Sequence, residues 1–112
     1  MPSQSNDVID LYFQKICCIN NAGFVMDFSV RSENGNDVTP YTSSYPINQS
    51  MTIDLENLSS EPLEVGSLVY PHVRAYAGLE KDGVKVRYAP NGQVATYTVN
   101  GTTLIYSVER IG

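Results

Sequence analysis

The sequence has few of the residues that build metal sites or disulfides. It contains no Trp, one His and two Cys, and the two Cys are adjacent at positions 17 and 18. One His and one Cys pair do not complete a zinc shell, so we expect no metal and no cofactor. Neighbouring Cys residues form a disulfide only with a distorted backbone, because bridged Cα atoms usually lie about 5.5 Å apart. We therefore expect two free thiols, at least one of them in the core.

The sequence also lacks a long apolar run. No stretch approaches the roughly 18 apolar residues of a membrane-spanning helix, and the start MPSQSNDVID has neither region of a secretory signal. We expect no transmembrane segment, and either a cytoplasmic protein or one secreted by an unconventional route. The formal charge of −5 argues against a nucleic-acid partner, because phosphate binding needs a basic face.

Recognisable catalytic motifs are missing as well. The sequence has no Gly-x-Ser-x-Gly elbow, no His-Glu-x-x-His motif and no glycine loop for phosphate. We therefore expect a protein that is not an enzyme. A small hydrolase stays open as a weaker alternative, with His72 as general base or with two of the 12 Asp and Glu side chains as a catalytic pair.

Period-two alternation is what the sequence has in abundance. From Phe24 to Val30 apolar side chains alternate with Asp27 and Ser29, which is typical of a half-buried strand. Similar segments occur at 9–19, 51–56, 67–78, 84–88, 95–99 and 104–108, separated by Gly, Asn and Pro. GLEKDG (78–83) is predicted to be a turn, and Asn100-Gly101 a type I′ hairpin turn. We predict one domain, residues 1–112, that is all-β: a single antiparallel β-sandwich of about seven strands.

The stretch SLVYPHVRAYAG (67–78) has two different faces if it is a strand. Its odd-numbered side chains from 69 to 77 are apolar, whereas the even-numbered ones are Tyr70, His72, Arg74 and Tyr76. The next strand places Lys85 and Arg87 outward, so a basic surface bordered by Tyr is predicted. Tyr and Arg are common recognition side chains. The same residues are also ordinary on the solvent face of a strand, and this interpretation is kept beside the functional one.

A second candidate binding surface is the polar connection at 39–49. It contains Tyr41 and Tyr45 among Thr and Ser residues, a composition that resembles flexible binding loops. An ordinary long connection between sheets explains the same residues.

Three segments carry a resemblance to known proteins. NNAGFVMDFSV (20–30), YPINQSMTIDL (45–55) and ATYTVNGTTLIYSV (95–108) together cover about a third of the chain. Their order resembles the layout of small defence-type β-sandwich proteins, the aegerolysins and thaumatin-like proteins. The resemblance implies a non-enzymatic protein that binds lipid or carbohydrate. This sequence lacks the Trp of aegerolysins and the many disulfides of thaumatin-like proteins, so no functional residue is carried over.

Two functions follow from these observations as expectations. The first is a lectin-like or toxin-like protein that binds a carbohydrate or lipid headgroup through the predicted Tyr and basic residues. The alternative is a structural, storage or crystalline-inclusion protein that forms a homo-oligomer through the same surface or through sheet edges.

Overall fold

The computed structural model describes residues 11–58, 62–76 and 78–112. These residues form nine strands: β1 (Tyr12–Phe13), β2 (Lys15–Asn20), β3 (Met26–Ser32), β4 (Gln49–Asp54), β5 (Leu68–Ala75), β6 (Glu80–Asp82), β7 (Val86–Tyr88), β8 (Val94–Gly101) and β9 (Tyr106–Arg110). The prediction of an all-β protein is confirmed. Within the described ranges there is no helix with the length and apolar character to cross a membrane.

The predicted count of seven strands was wrong because two strands were missed. The predicted strand at 9–19, whose first two residues lie outside the described ranges, is divided at Gln14. There the chain passes from one sheet to the other: β1 pairs with β7, and β2 pairs with β4 and β8. The Gln14 side chain accepts a hydrogen bond from the Gly92 amide and donates one to Asp54. The second missed strand is β6, which lies inside the predicted GLEKDG turn and pairs with β5.

The strands form two sheets with mixed directions. The five-stranded sheet has the order β1-β7-β5-β3, with β6 also paired with β5, and the four-stranded sheet has the order β4-β2-β8-β9. The β1–β7 and β2–β8 pairs are parallel, so the prediction of a purely antiparallel arrangement was wrong. A tight hairpin forces its two strands to be antiparallel, but these partners are far apart in sequence, and no hairpin sets their direction.

Both sheets contribute to one hydrophobic core. Its members include Ile16, Cys18 and Tyr97 from the four-stranded sheet, and Phe28 and Val73 from the five-stranded sheet. Cys18 is buried and Cys17 half-buried, and both are free thiols, as expected. Burial raises the pKa of the Cys18 thiol well above its ordinary value.

The predicted inner face of β5 is confirmed from 69 to 75; Ala77, its last predicted member, lies outside the described residues. Val69, Pro71, Val73 and Ala75 are all buried. β5 pairs with β3 over seven positions, from Met26 opposite Ala75 to Ser32 opposite Val69.

The last hairpin turns later than the sequence predicts. Asn100 and Gly101 belong to β8, and Thr102 and Ile105 exchange both backbone hydrogen bonds across the reversal. Gly101 has φ 129°, and a Cβ there would meet the backbone of Ile105 and Tyr106. Glycine is thus needed for the close approach of β9 and not for the turn itself. Leu104, predicted to begin the final strand, lies in the turn and is exposed.

Tyr45 connects the edge of one sheet to the other sheet. Its backbone pairs with Met26 of β3 in both directions, and its hydroxyl donates to the Cys18 carbonyl of β2 at 2.8 Å. The ring is buried, and burial raises the pKa of the phenol. Tyr45 therefore belongs to the core and not to the surface of a binding loop.

We expect Tyr45→Phe to lower the free energy of unfolding by about 1–2 kcal/mol, because the buried Cys18 carbonyl loses its donor. Urea unfolding measures this as a lower midpoint at unchanged slope. Tyr76→Phe, at an exposed ring, is the matched control and should unfold like the wild type. Equal midpoints for both variants would show that the Tyr45 hydroxyl does not stabilise the fold.

Candidate functional site

The outer face of the five-stranded sheet carries a charged ladder. We give this name to Asp27, Ser29 and Arg31 of β3, Tyr70, His72 and Arg74 of β5, and Glu80 and Asp82 of β6. The register places Arg74 between Asp27 and Glu80, and His72 between Ser29 and Asp82. The predicted basic face is therefore crossed by acidic side chains: Asp27 and Glu80 lie on either side of Arg74, and Asp82 lies opposite His72.

Arg74 is fixed on two sides. Its Nε and Nη2 donate to the two carboxylate oxygens of Asp27 at 2.9 and 2.8 Å, a bidentate pair. Its guanidinium carbon lies 3.4 Å from the centroid of the Tyr41 ring. The hydrogen bonds that it donates to Asp27 raise the pKa of the guanidinium. The pair neutralises the charge of Arg74 and fixes its plane.

His72 lies between two carboxylates of β6. Its Nδ1 is 2.6 Å from Asp82 Oδ1 and its Nε2 is 2.8 Å from Glu80 Oε1. Each ring nitrogen thus faces a carboxylate oxygen at hydrogen-bonding distance. The His72 side chain is only 7% exposed. It therefore attaches the short strand β6 to β5 and is not open to a ligand.

The segment 37–45 covers the free edge of β3. The Thr39 and Thr42 hydroxyls accept hydrogen bonds from the amides of Val30 and Phe28. Tyr41 accepts one from Arg31 Nη2 at 3.3 Å. The connection that was predicted to be flexible is thus attached to β3 along its length. Tyr41 packs against Arg74 of the charged ladder.

The remaining predicted residues do not form one surface. Tyr70, which was predicted to face outward, is buried, and the Lys85 ammonium lies 5.9 Å from its ring centroid. Arg87 donates to the Gly66 carbonyl and lies opposite Leu68, at the far end of β5 from Tyr76. Tyr41, His72 and Arg74 lie together, and Tyr76 lies just beyond them. The other predicted residues lie elsewhere in the molecule: Lys85, Arg87 and Tyr45.

Sequence analysis missed the acidic members of the ladder. Asp27 was visible as an outward residue of its strand, but its cross-strand partner depends on register, which a local pattern does not show. Glu80 and Asp82 alternate around Lys81, a period-two signal that was obscured by the glycines on either side.

A cleft opens at the end of the ladder where β5 terminates. Its volume is about 220 Å³, and its polar lining comes from Asp27, Ser44, Arg74 and Glu80. The Tyr76 ring stands at its rim and is 75% exposed. Within the described part of the chain, no three His, Cys, Asp or Glu side chains converge as ligands for a metal ion.

Three loops meet beside this cleft. The Gly23 amide donates to the Gly101 carbonyl, the Tyr76 amide to the Val25 carbonyl, and the Tyr106 hydroxyl to the Leu79 carbonyl. These loops expose five large hydrophobic side chains, which we call the apolar end: Val25, Tyr76, Leu79, Leu104 and Ile105. Leu104 and Ile105 are 77% and 79% exposed. Residues 21–25, 76–79 and 101–106 include no Asp, Glu, Lys, Arg or His.

We expect His72→Gln to lower the free energy of unfolding by about 1–2 kcal/mol, because the contacts of the two ring nitrogens with half-exposed carboxylates are lost. Denaturant unfolding measures the change. Glu109→Gln, on an exposed position of β9, is the control. If His72→Gln unfolds at the wild-type midpoint, the contacts of His72 with β6 contribute nothing to stability.

The acid sensitivity of the fold is expected to depend partly on Asp37. Burial alone would raise the pKa of Asp37, but hydrogen bonds from Ser29 and Arg31 lower it below its ordinary value. The ionised form therefore stabilises the fold fully above about pH 4, and this contribution is lost as the pH falls through the folded-state pKa.

Between about pH 5 and pH 2, the free energy of unfolding of Asp37→Asn should therefore fall less than that of the wild type. The difference should be below about 1 kcal/mol, because the pair with Arg31 is partly exposed. Thermal unfolding across this range measures the difference, with Glu33→Gln as a control for a carboxylate-to-amide change in an exposed turn. Parallel pH profiles for wild type and Asp37→Asn would contradict the expectation.

No family model matches the chain, and no curated protein sequence matches it. Among solved structures, the chain is similar to pneumolysin, with 15% identity over 87% of this chain and 23% of that chain and a TM-score of 0.47. A Gram-negative toxin gives 16% identity over 86% and 22%, with a TM-score of 0.48. Listeriolysin O gives 19% identity over 88% and 22%, with a TM-score of 0.44. The chain thus spans under a quarter of the length of each, and similarity at this level establishes neither a common family nor a common activity.

Proposed function

We propose that this protein is a non-catalytic binding domain that attaches to a lipid surface through the apolar end. The observation that carries the proposal is the clustering of exposed hydrophobic side chains. Ten large hydrophobic side chains are exposed in the described part of the chain, and five of them lie in the apolar end, including the three most exposed. Single exposed apolar residues are normal in a monomer, but a contiguous group marks an interaction site.

The chemistry of these loops fits a bilayer interface. Leu104 and Ile105 are adjacent at a two-residue reversal, so both side chains can enter a lipid layer without moving a strand. The Tyr76 ring combines an apolar body with a polar hydroxyl, the property that enriches Tyr at membrane interfaces. Insertion would not require the transfer of a charged side chain, because these loops carry none.

The attachment is expected to be weak and reversible. Burial of one Leu or Ile side chain is worth roughly 1.5–3 kcal/mol, so two of them give about 4 kcal/mol. A single myristoyl chain, with a binding constant on the order of 10⁴ M⁻¹, is likewise only a marginal anchor. The net charge of −5 gives no attraction to an anionic leaflet, and binding to a neutral bilayer should be insensitive to salt.

Sedimentation with neutral phosphatidylcholine vesicles tests the proposal. The double variant Leu104→Ser, Ile105→Ser is expected to lower the partition coefficient by about tenfold or more, because the inserted aliphatic surface is lost. The matched control is Val65→Ser, Ile111→Ser, which removes two aliphatic side chains that are 67% and 61% exposed outside the apolar end. Equal binding by both double variants, or no binding by the wild type, would refute the proposal.

Self-assembly is a second candidate function, favoured by the sheet edges. β4 and β9 are the outermost strands of the four-stranded sheet, and edge strands can pair with another chain. Light scattering over a concentration series separates the two functions. A strict monomer that binds vesicles excludes assembly, whereas a concentration-dependent oligomer that ignores vesicles replaces the lipid proposal.

A further inference from the structure

We propose that the cleft beside the apolar end binds the ring of a neutral sugar. The inference deepens the proposed function, because a domain attached to a lipid surface would meet this sugar as the headgroup of a glycolipid. The site consists of Asp27, Ser44, Arg74 and Glu80 in the lining and Tyr76 at the rim.

The size of the cleft limits the ligand to one ring. Pockets for drug-sized ligands enclose about 300–1,000 Å³, and this cleft has about 220 Å³. A single pyranose fits such a volume, and further residues of a glycan would extend into solvent. The exposed Tyr76 ring offers a flat apolar surface at the rim, on which the C–H face of a sugar can stack.

The charges of the lining favour a neutral ligand. Two carboxylates, Asp27 and Glu80, stand beside one guanidinium, Arg74, and Asp27 already neutralises that guanidinium. A phosphate or carboxylate ligand would lie beside the Glu80 carboxylate, and the guanidinium that could attract it is already paired with Asp27. An ammonium ligand would meet Arg74 at close range. Sugar hydroxyls both donate and accept hydrogen bonds and carry no charge, so they suit a lining that contains both signs.

The hydrogen-bonding groups have capacity for a ligand and are held in place. The Asp27 pair uses two of the five N–H donors of Arg74, and each Asp27 oxygen, which receives one hydrogen bond from Arg74, can accept another. Both residues sit on paired strands, and Tyr41 packs against the guanidinium from the other side. Groups fixed before binding lose little freedom on binding, which is what a shallow polar site requires.

The test is an NMR titration of the ¹⁵N-labelled protein. The probes are the methyl glycosides of glucose, galactose, mannose and N-acetylglucosamine, with glucose 6-phosphate and glucosamine as charged counterparts. We expect at least one neutral glycoside to shift the amides of Asp27 and Tyr76, with a dissociation constant on the order of millimolar for a single ring. Tighter binding of a charged counterpart, or shifts confined to other parts of the molecule, would overturn the proposal.

Two variants show whether the cleft is responsible. Tyr76→Ala is expected to weaken glycoside binding at least about fivefold, because the stacking surface is lost. Asp27→Asn leaves Arg74 without its counter-charge, so it should weaken glycoside binding and gain binding of glucose 6-phosphate. The gain of glucose 6-phosphate binding requires a folded protein. It therefore distinguishes a change of selectivity from a loss of glycoside binding caused by unfolding. Unchanged selectivity in Asp27→Asn would contradict the assignment.

The failure of this inference can be separated from the failure of the proposed function. Vesicles of phosphatidylcholine are compared with vesicles that also contain glucosylceramide or galactosylceramide, and Leu104→Ser, Ile105→Ser is titrated with the free glycosides. We expect this variant to bind glycosides within about twofold of the wild type while losing vesicle binding. Vesicle binding without any glycoside shift or glycolipid enhancement overturns the sugar site alone. Glycoside shifts without vesicle binding overturn the lipid proposal alone.

Discussion

The pairing of β3 with β5 is the constraint on which the rest of the structure depends. Its register places Phe28 opposite Val73 in the core and Asp27 opposite Arg74 on the outer face. Because side chains alternate between faces, a slip of one residue would turn Asp27, Ser29 and Arg31 into the core. The hydrophobic side of the pair therefore fixes the position of the charged side, and the bidentate contact between Asp27 and Arg74 is a consequence of burial elsewhere.

That register also explains why the middle of the outer face is enclosed. His72 is enclosed by Asp82 and Glu80, and Arg74 is covered from one side by Tyr41. Both ring nitrogens of His72 are already engaged by carboxylates, so this side chain has little left to offer a ligand. A cleft opens where β5 ends, since the partner strands stop there and the loop that carries Tyr76 begins. The cleft thus lies where β5 ends, and the apolar end lies beside it, where this loop meets the loops before β3 and between β8 and β9.

The sequence predicted what depends on local alternation and missed what depends on register. The burial of Val69 and Val73 follows from a period of two, which is visible in the sequence. The proximity of Asp27 to Arg74 needs a pairing across 47 positions, and no local signal contains it. Leu104 was placed on a strand because it alternates with Tyr106, yet the turn made by Thr102 and Ile105 overrides that pattern. For this reason the sequence did not indicate that Leu104 and Ile105 are the most exposed aliphatic side chains among the described residues.

Tyr76 connects the two proposed contacts. It belongs to the apolar end and to the rim of the cleft, and its amide is bonded to Val25 of a second loop. Each contact by itself is weak: two aliphatic side chains give marginal attachment to a bilayer, and one sugar ring gives binding on the order of millimolar. When the sugar ring and the lipid belong to one glycolipid membrane, the second contact forms at a high effective concentration. The two weak binding energies then add to a stronger overall attachment. A surface that offers only lipid or only free sugar would hold the protein poorly, and selectivity would follow from the short distance between the two sites.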